Sequence, residues 1–245
     1  MPKNAAILEW VGSMKALLLR VGIDKGCGGA LAPLFADGSF EYIPIPERRD
    51  SSETRTFGNT VGAHARPLFT YNLPKELENA KLHFDPEFET FTYGDISIKR
   101  TYLLKLERGD LLVFYAGLQP WDYDGENGLY IIGYFTVKKI VDMRGLSDDE
   151  REYIRKCYPN NAHVKRLHDD AVIVIGDPTK SRRLDKAVRI SVKRPDRRGR
   201  PTHAVSDEIA RLLGVSGFIQ LSVPPRTIKA EFVGNLIKLL DTPST

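Results

Sequence analysis

The chain has 245 residues, 42% hydrophobic and 28% charged, which is a globular composition with length for one large domain or two small ones. Its longest apolar runs, "DLLVFYAGL" and "LYIIGYFTV", are too short to span a bilayer, so no membrane partner is expected. Cys27 and Cys157 lie far apart without CxxC or CxxxC spacing, which excludes a usual cysteine zinc site and a disulfide framework.

Residues 1–13 read as an extension before Met14, itself an equally natural start. They carry no small-residue cleavage pattern, so the cytoplasm is the expected compartment. Residues 15–22 predict a buried strand leading into the glycine loop "RVGIDKGCGG", Arg20 to Gly29. "PLFADGSFEYIPIPE" predicts a hairpin turning at Asp37-Gly38. Residues 46–72 are polar, lack a period and predict a long loop. A short helical or extended segment over 100–106 leads to the turn "ERGD". Two long antiparallel strands follow, "DLLVFYAGL" and "GLYIIGYFTVKKIVD", joined by "QPWDYDGEN".

"LSDDEREYIRKCY" predicts a helix with a capping box from Ser147 to Glu150. "AVIVIGD" predicts a strand, "SDEIARLLG" a helix closed by Gly214, and "IKAEFVGNLIKLL" a C-terminal amphipathic helix. The class is α+β (mixed α/β), with a central mixed or antiparallel sheet and flanking helices. Residues 14–245 are expected to form one domain, divisible into a β-rich part, 14–142, and a helix-rich part, 143–245.

The net charge of +4 is unevenly spread. Between Pro178 and His203 ten Lys and Arg face two Asp, a local charge of +8, so the remainder carries −4. A basic strip on an acidic body suits a polyanion, because clustered cations release the counterions of a phosphate backbone. Only Gln119 and Gln220 are glutamines, a bias of proteins from hot environments.

Gly26, Gly28 and Gly29 give G-x-G, yet Pro33 and the Asp37-Gly38 turn stand where a dinucleotide fingerprint needs a helix. The loop is expected to turn the chain and to line a site. His83 and Asp85 share a face if extended; they suit acid–base work, or two ligands of a metal whose third comes from His64 or His163. A hydrogen-bonded histidine beside an Asp-Pro turn is the competing reading, and no metal is assigned. Asp177 ends an apolar strand, where open α/β sheets place ligands, with Ser181, Arg182 and Arg183 in reach of an anion. Trp121 and Tyr123 could stack on a base. GxSxG, HExxH, papain-like cysteine and EF-hand motifs are absent.

The segments "MKALLLRVGIDKGCGGALAPLFADGSFEYIPIPE", "HFDPEF", "LERGDLLVFYAGL", "YIIGYFTV" and "AHVKRLHDDAVIVIGDPTKSRRLDKAV" together resemble the third type of nucleotide modification associated domain, from Met14 to about residue 220. The resemblance implies a setting in DNA base modification. Its matching positions are Asp24, Gly28, Gly29, His83, Asp85, Asp110, Asp177, Ser181 and Arg182. Residues 107–142 also resemble the core strands of PUA-like modified-base readers, which hold an extruded base between aromatic walls.

The expected function is binding or acting on a nucleotide or base in a polar cleft, with nucleic acid (DNA before RNA) or a nucleotide as partner. As an enzyme, Asp24, His83, Asp85 and Asp177 would sit in one cleft as acid–base or ligand groups. Gly28, Gly29, Ser181, Arg182, Arg183, Arg194, Arg197 and Arg198 would hold phosphates. As a reader, Phe114, Tyr115 and Trp121 would wall the base. A nucleotide-dependent transferase acting on a small molecule is the third class. The cofactor and oligomeric state stay open.

Overall fold

The aliphatic run Ala16–Arg20 forms strand β1, and its neighbours follow from the computed structural model, which describes residues 14–220 and 224–241. The expected extension over 1–13 lies outside the described residues. In chain order come β2 (Ala32–Leu34), β3 (Ile45–Pro46), β4 (Leu82–His83), β5 (Thr92–Asp95) and the short helix α1 (Arg100–Leu103). The long strands β6 (Leu111–Pro120) and β7 (Gly128–Asp142) precede α2 (Asp148–Cys157) and α3 (Ala162–Lys165). The rest comprises β8 (Val172–Gly176), β9 (Arg182–Arg189), β10 (Ser191–Pro195), β11 (Pro201–Val205), α4 (Asp207–Leu213), β12 (Arg226–Ile228) and α5 (Ala230–Asp241).

An eight-stranded mixed sheet is built around β6 and β7, and helices flank it, so the fold is α+β. β1 and β2 lie parallel to successive parts of β6, while β7 pairs antiparallel with β9 along its first half and with β8 along its second. β5 extends the sheet beyond β8, and β12 closes the other side against β1. Strands from before and after residue 143 therefore share one sheet. The period-two pattern of β6 and β7 is obscured because both faces of the spine are covered: β6 is buried over Leu111–Leu118. Phe114 and Phe135 stack edge-on, with centroids 4.7 Å apart and no exposed surface. Burying each such ring contributes roughly 1.5–3 kcal/mol.

The expected strands 15–22, 110–118, 128–142 and 171–177 are present, as are the two capped helices. Ser147 and Glu150 exchange both capping-box hydrogen bonds, and Gly214 closes α4 at φ +64°. Two readings are corrected, and the structure adds the form of the basic segment. The Asp37-Gly38 turn closes only the bridge Leu34–Phe40, because β2 spends its hydrogen bonds on β6. Ile228 ends strand β12 against β1, so the last helix starts at Ala230. The basic segment after Pro178 is three strands, with β10 and β11 a hairpin whose tip carries Arg197 and Arg198. The loop over 46–72 is irregular but anchored by the buried side chains of Glu53, Phe57, Leu68 and Tyr71.

Candidate functional site

Between β1 and β2 the chain leaves the edge of β6, and the glycine loop fills that gap: Arg20 pairs with Tyr115 and Ala32 with Leu118. Asp24 organises the loop. Its Oδ1 accepts from the N–H groups of Gly26 at 2.8 Å and Cys27 at 2.7 Å, and its Oδ2 lies 3.2 Å from Arg20 Nη2. Gly28 adopts φ +107°, and a Cβ there would stand 2.5 Å from Ile23 Cγ1, so only glycine fits. Two amides that could have bound a phosphate are thus taken by the loop's own carboxylate. The loop turns the chain and walls a cleft.

That cleft, of about 350 Å³, also receives β4, β5 and α3. His83 ends β4, and Asp85 follows after one residue, its Oδ1 accepting from Gly94 N–H of β5 at 2.8 Å. His163 stands on α3, whose cap Asn161 is fully buried and donates to Thr92 Oγ1 of β5 at 3.1 Å. Gly94 lets that imidazole approach, because a Cβ would lie 2.6 Å from His163 Cδ2. The two rings meet edge to face, with centroids 5.2 Å apart. Nε2 of His163 and Nε2 of His83 lie 3.4 and 3.9 Å from Asp85 Oδ2. One atom from each residue falls within 4.8 Å of the others, a set able to hold a metal ion.

Each group is held from behind. His83 Nδ1 lies 3.0 Å from Glu47 Oε2, and Arg166 binds the same carboxylate with two nitrogens, at 2.7 and 2.5 Å. Burial opposes the charge on Glu47, but hydrogen bonds from His83, Arg166 and the Arg49 N–H outweigh it and hold the carboxyl well below its usual range. Ionised, Glu47 only accepts, so Nδ1 of His83 donates to it and Nε2 is the ring nitrogen on the side of Asp85. His163 Nδ1 lies 3.3 Å from His168 Nδ1, and burial, then the charges of His163, Arg166 and Arg49, lower the pKa of His168. Asp95 also lines the cleft, accepting from Tyr93 Oη and Ser97 N and lying 3.8 Å from Lys99.

The model of nucleotide modification associated domain 3 matches residues 15–209. The chain belongs to this family. No curated protein and no solved structure matches it.

In this nucleotide modification associated domain, Asp24 and the His83–Asp85 pair come from separate segments and share the cleft. Asp177 does not join them. It follows β8 at the end remote from Val172, which pairs with Asp95, about 16 Å along an extended strand. Its Oδ1 accepts from Thr179 N and Oγ1, hydrogen bonds that lower its pKa and close a turn.

Ser181 Oγ accepts from Thr136 N inside the sheet. Arg182 donates to Leu240 O and Asp241 Oδ1, fastening α5, and Arg183 donates to Phe40 O. Those partners make them braces of the fold. Asp110 accepts from Lys15 and Glu107 N–H and closes the turn before β6. Phe114 and Tyr115 are buried, and the Tyr115 hydroxyl donates to Ile219 O, so neither can wall a base. Trp121 packs edge-on against Tyr71.

Arg194 pairs with Asp207, while Arg197 and Arg198 are exposed at the hairpin tip. A second cleft, of about 390 Å³, separates that hairpin from the glycine loop and shares Arg20 and Asp24 with the first. Asp95 was visible in the same proline-punctuated stretch as His83 and Asp85, whereas Glu47, Arg166 and His168 had no motif to announce them. His163 was visible as one of two histidines, with His64, that could supply a third ligand. No described helix is long and apolar enough to cross a membrane.

Proposed function

We propose that this chain modifies a nucleotide, or the base of a nucleotide within nucleic acid, at the cleft of His83, Asp85 and His163, with DNA as the favoured partner. The observation that carries the reading is the convergence of these three buried side chains in a cleft walled by the glycine loop, in a member of a nucleotide modification family. Asp85, His83 and His163 bring side chains of acid–base or metal-ligand type to where a substrate would sit. Arg49, exposed beside the cleft, offers a guanidinium to a phosphate.

A cleft of about 350 Å³ suits one nucleotide rather than a strand. A base within nucleic acid would enter it flipped out, while the strand runs through the second cleft towards the basic hairpin. The cytoplasm supplies such a partner. The size of the cleft also favours a second reading, in which a free nucleotide is the substrate.

Fluorescence anisotropy of labelled single- and double-stranded oligonucleotides at two salt concentrations, competed with free nucleotides, tests the two. Salt-sensitive oligonucleotide binding that free nucleotides compete only weakly supports the nucleic-acid reading. Competition by a free nucleotide with salt-insensitive affinity moves the function to the free nucleotide, and absence of both contradicts the proposal.

A further inference from the structure

The inward edge of the cleft sets two imidazole nitrogens against one carboxylate oxygen. The separations, 3.4 Å from Asp85 Oδ2 to His163 Nε2 and 3.9 Å to His83 Nε2, exceed a good hydrogen bond. The side chains are only 5%, 7% and 5% exposed for His83, Asp85 and His163. Three electron-pair donors held this close and nearly out of water call for a cation between them.

We propose that His83, Asp85 and His163 bind one divalent first-row transition-metal ion, with its remaining coordination positions open to the cleft. Bonds of about 2.0–2.1 Å around a tetrahedral ion set its ligands about 3.4 Å apart. The Asp85–His163 distance matches that value, while His83 Nε2 stands 3.9 Å from Asp85 Oδ2 with all three ligand atoms within 4.8 Å of one another, so a bound ion would draw the His83 ring inward. Two imidazoles and one carboxylate select zinc, iron, manganese or cobalt over magnesium and calcium, which take oxygen.

The supporting groups are those of a metal site. Glu47 fixes the His83 ring through Nδ1, His168 stands against Nδ1 of His163, and Gly94 N–H holds the second oxygen of Asp85. Each ligand therefore has an outer partner that fixes the donor atom presented inward. Three protein ligands and a cleft in front leave room for water or substrate, the pattern of a catalytic rather than a structural site. Of the two histidines the sequence offered as third ligand, the fold selects His163; His64 stands elsewhere, with Nδ1 3.3 Å from Glu41 and Nε2 3.1 Å from Ser39.

This site lies in the cleft of the functional reading, but its test involves no nucleotide. Full-length protein freed of metal by a chelator is titrated with Co2+, followed by its visible absorption and by equilibrium dialysis. One Co2+ per chain is expected, displaced by Zn2+ and unaffected by a large excess of Mg2+. Asp85→Asn and His163→Gln should each weaken binding by more than about 100-fold, beyond the usual effect of an outer-shell change. His64→Ala should leave it unchanged, and circular dichroism of each variant confirms folding. Absence of Co2+ binding by the folded wild type overturns the proposal, as does equal affinity in the folded Asp85→Asn and His163→Gln proteins. Metal binding without nucleic-acid modification would overturn only the functional reading; modification by a folded protein that binds no Co2+ would overturn only the site.

Discussion

Glu47 joins two histidine-bearing parts of the chain: its Oε2 lies 3.0 Å from His83 Nδ1 on β4, and both its oxygens are held by Arg166, just past the helix that carries His163. Glu47→Gln removes the charge while keeping the shape. Arg166, with a side chain 11% exposed, then lacks its counter-ion. Breaking such a buried pair costs about 3 kcal/mol. Denaturant unfolding should show that loss, and Co2+ affinity should fall roughly 10–100-fold. A fully stable variant with unchanged affinity would separate Glu47 from the site.

Gly94 has no Cβ because His163 Cδ2 would lie 2.6 Å from it, with Ile173 Cδ1 at 3.1 Å. Gly94→Ala should displace the imidazole. The expected result is a stability loss of about 1–3 kcal/mol and loss of Co2+ binding in protein that still folds. Unchanged binding would place His163 outside the ligand set.

Glu53 provides the pH test away from the cleft. Its side chain is 4% exposed and contacts Arg55 at 2.9 Å and Lys165 at 2.7 Å. Burial opposes its charge, but the Arg55 and Lys165 hydrogen bonds prevail and hold the carboxyl at about 2. The unfolded value is about 4.3. A depressed folded pKa gives stability that is fully present above the unfolded value and lost as pH falls from about 4.3 through about 2. The contribution is on the order of 3 kcal/mol. Unfolding free energies measured from pH 6 to pH 2 should fall more steeply for wild type than for Glu53→Gln. Parallel profiles would contradict the pairing.

The arginines divide into braces and exposed cations. Arg183→Ala removes a 2.7 Å hydrogen bond to Phe40 O and the guanidinium 4.9 Å above the Phe40 ring. It should cost about 1–2 kcal/mol of stability without altering oligonucleotide affinity. The double variant Arg197→Ala, Arg198→Ala should keep its stability. It should also lower the salt slope of DNA binding by about 1.4–1.8, the share of two phosphate contacts. The reverse pattern would remove the hairpin from the interface.

Local signals made part of this fold legible. The aliphatic runs of β1, β6, β7 and β8, the Ser147–Glu150 capping box and the Gly214 cap each act within a few residues. Strands β9 and β12 were hidden because charged or sparse sequence pairs there only when partners arrive from far along the chain, and the local hairpin of β10 and β11 because its strands are charged rather than alternating apolar. The site follows the same rule. His83 and Asp85 were legible as an alternating pair, whereas Glu47 and His163 join them through the β3–β4 pairing and the Asn161–Thr92 hydrogen bond. Asp177 misled because a strand-terminal aspartate has the same local sequence whether it faces a ligand or caps its own turn.

The most direct measurement is mass spectrometry of the nucleosides released from DNA of cells producing wild type or Asp85→Asn, with matched amounts of folded protein. A nucleoside of altered mass is expected with wild type, and its absence with Asp85→Asn. Identical nucleoside profiles, or the same altered nucleoside from both proteins, would contradict it.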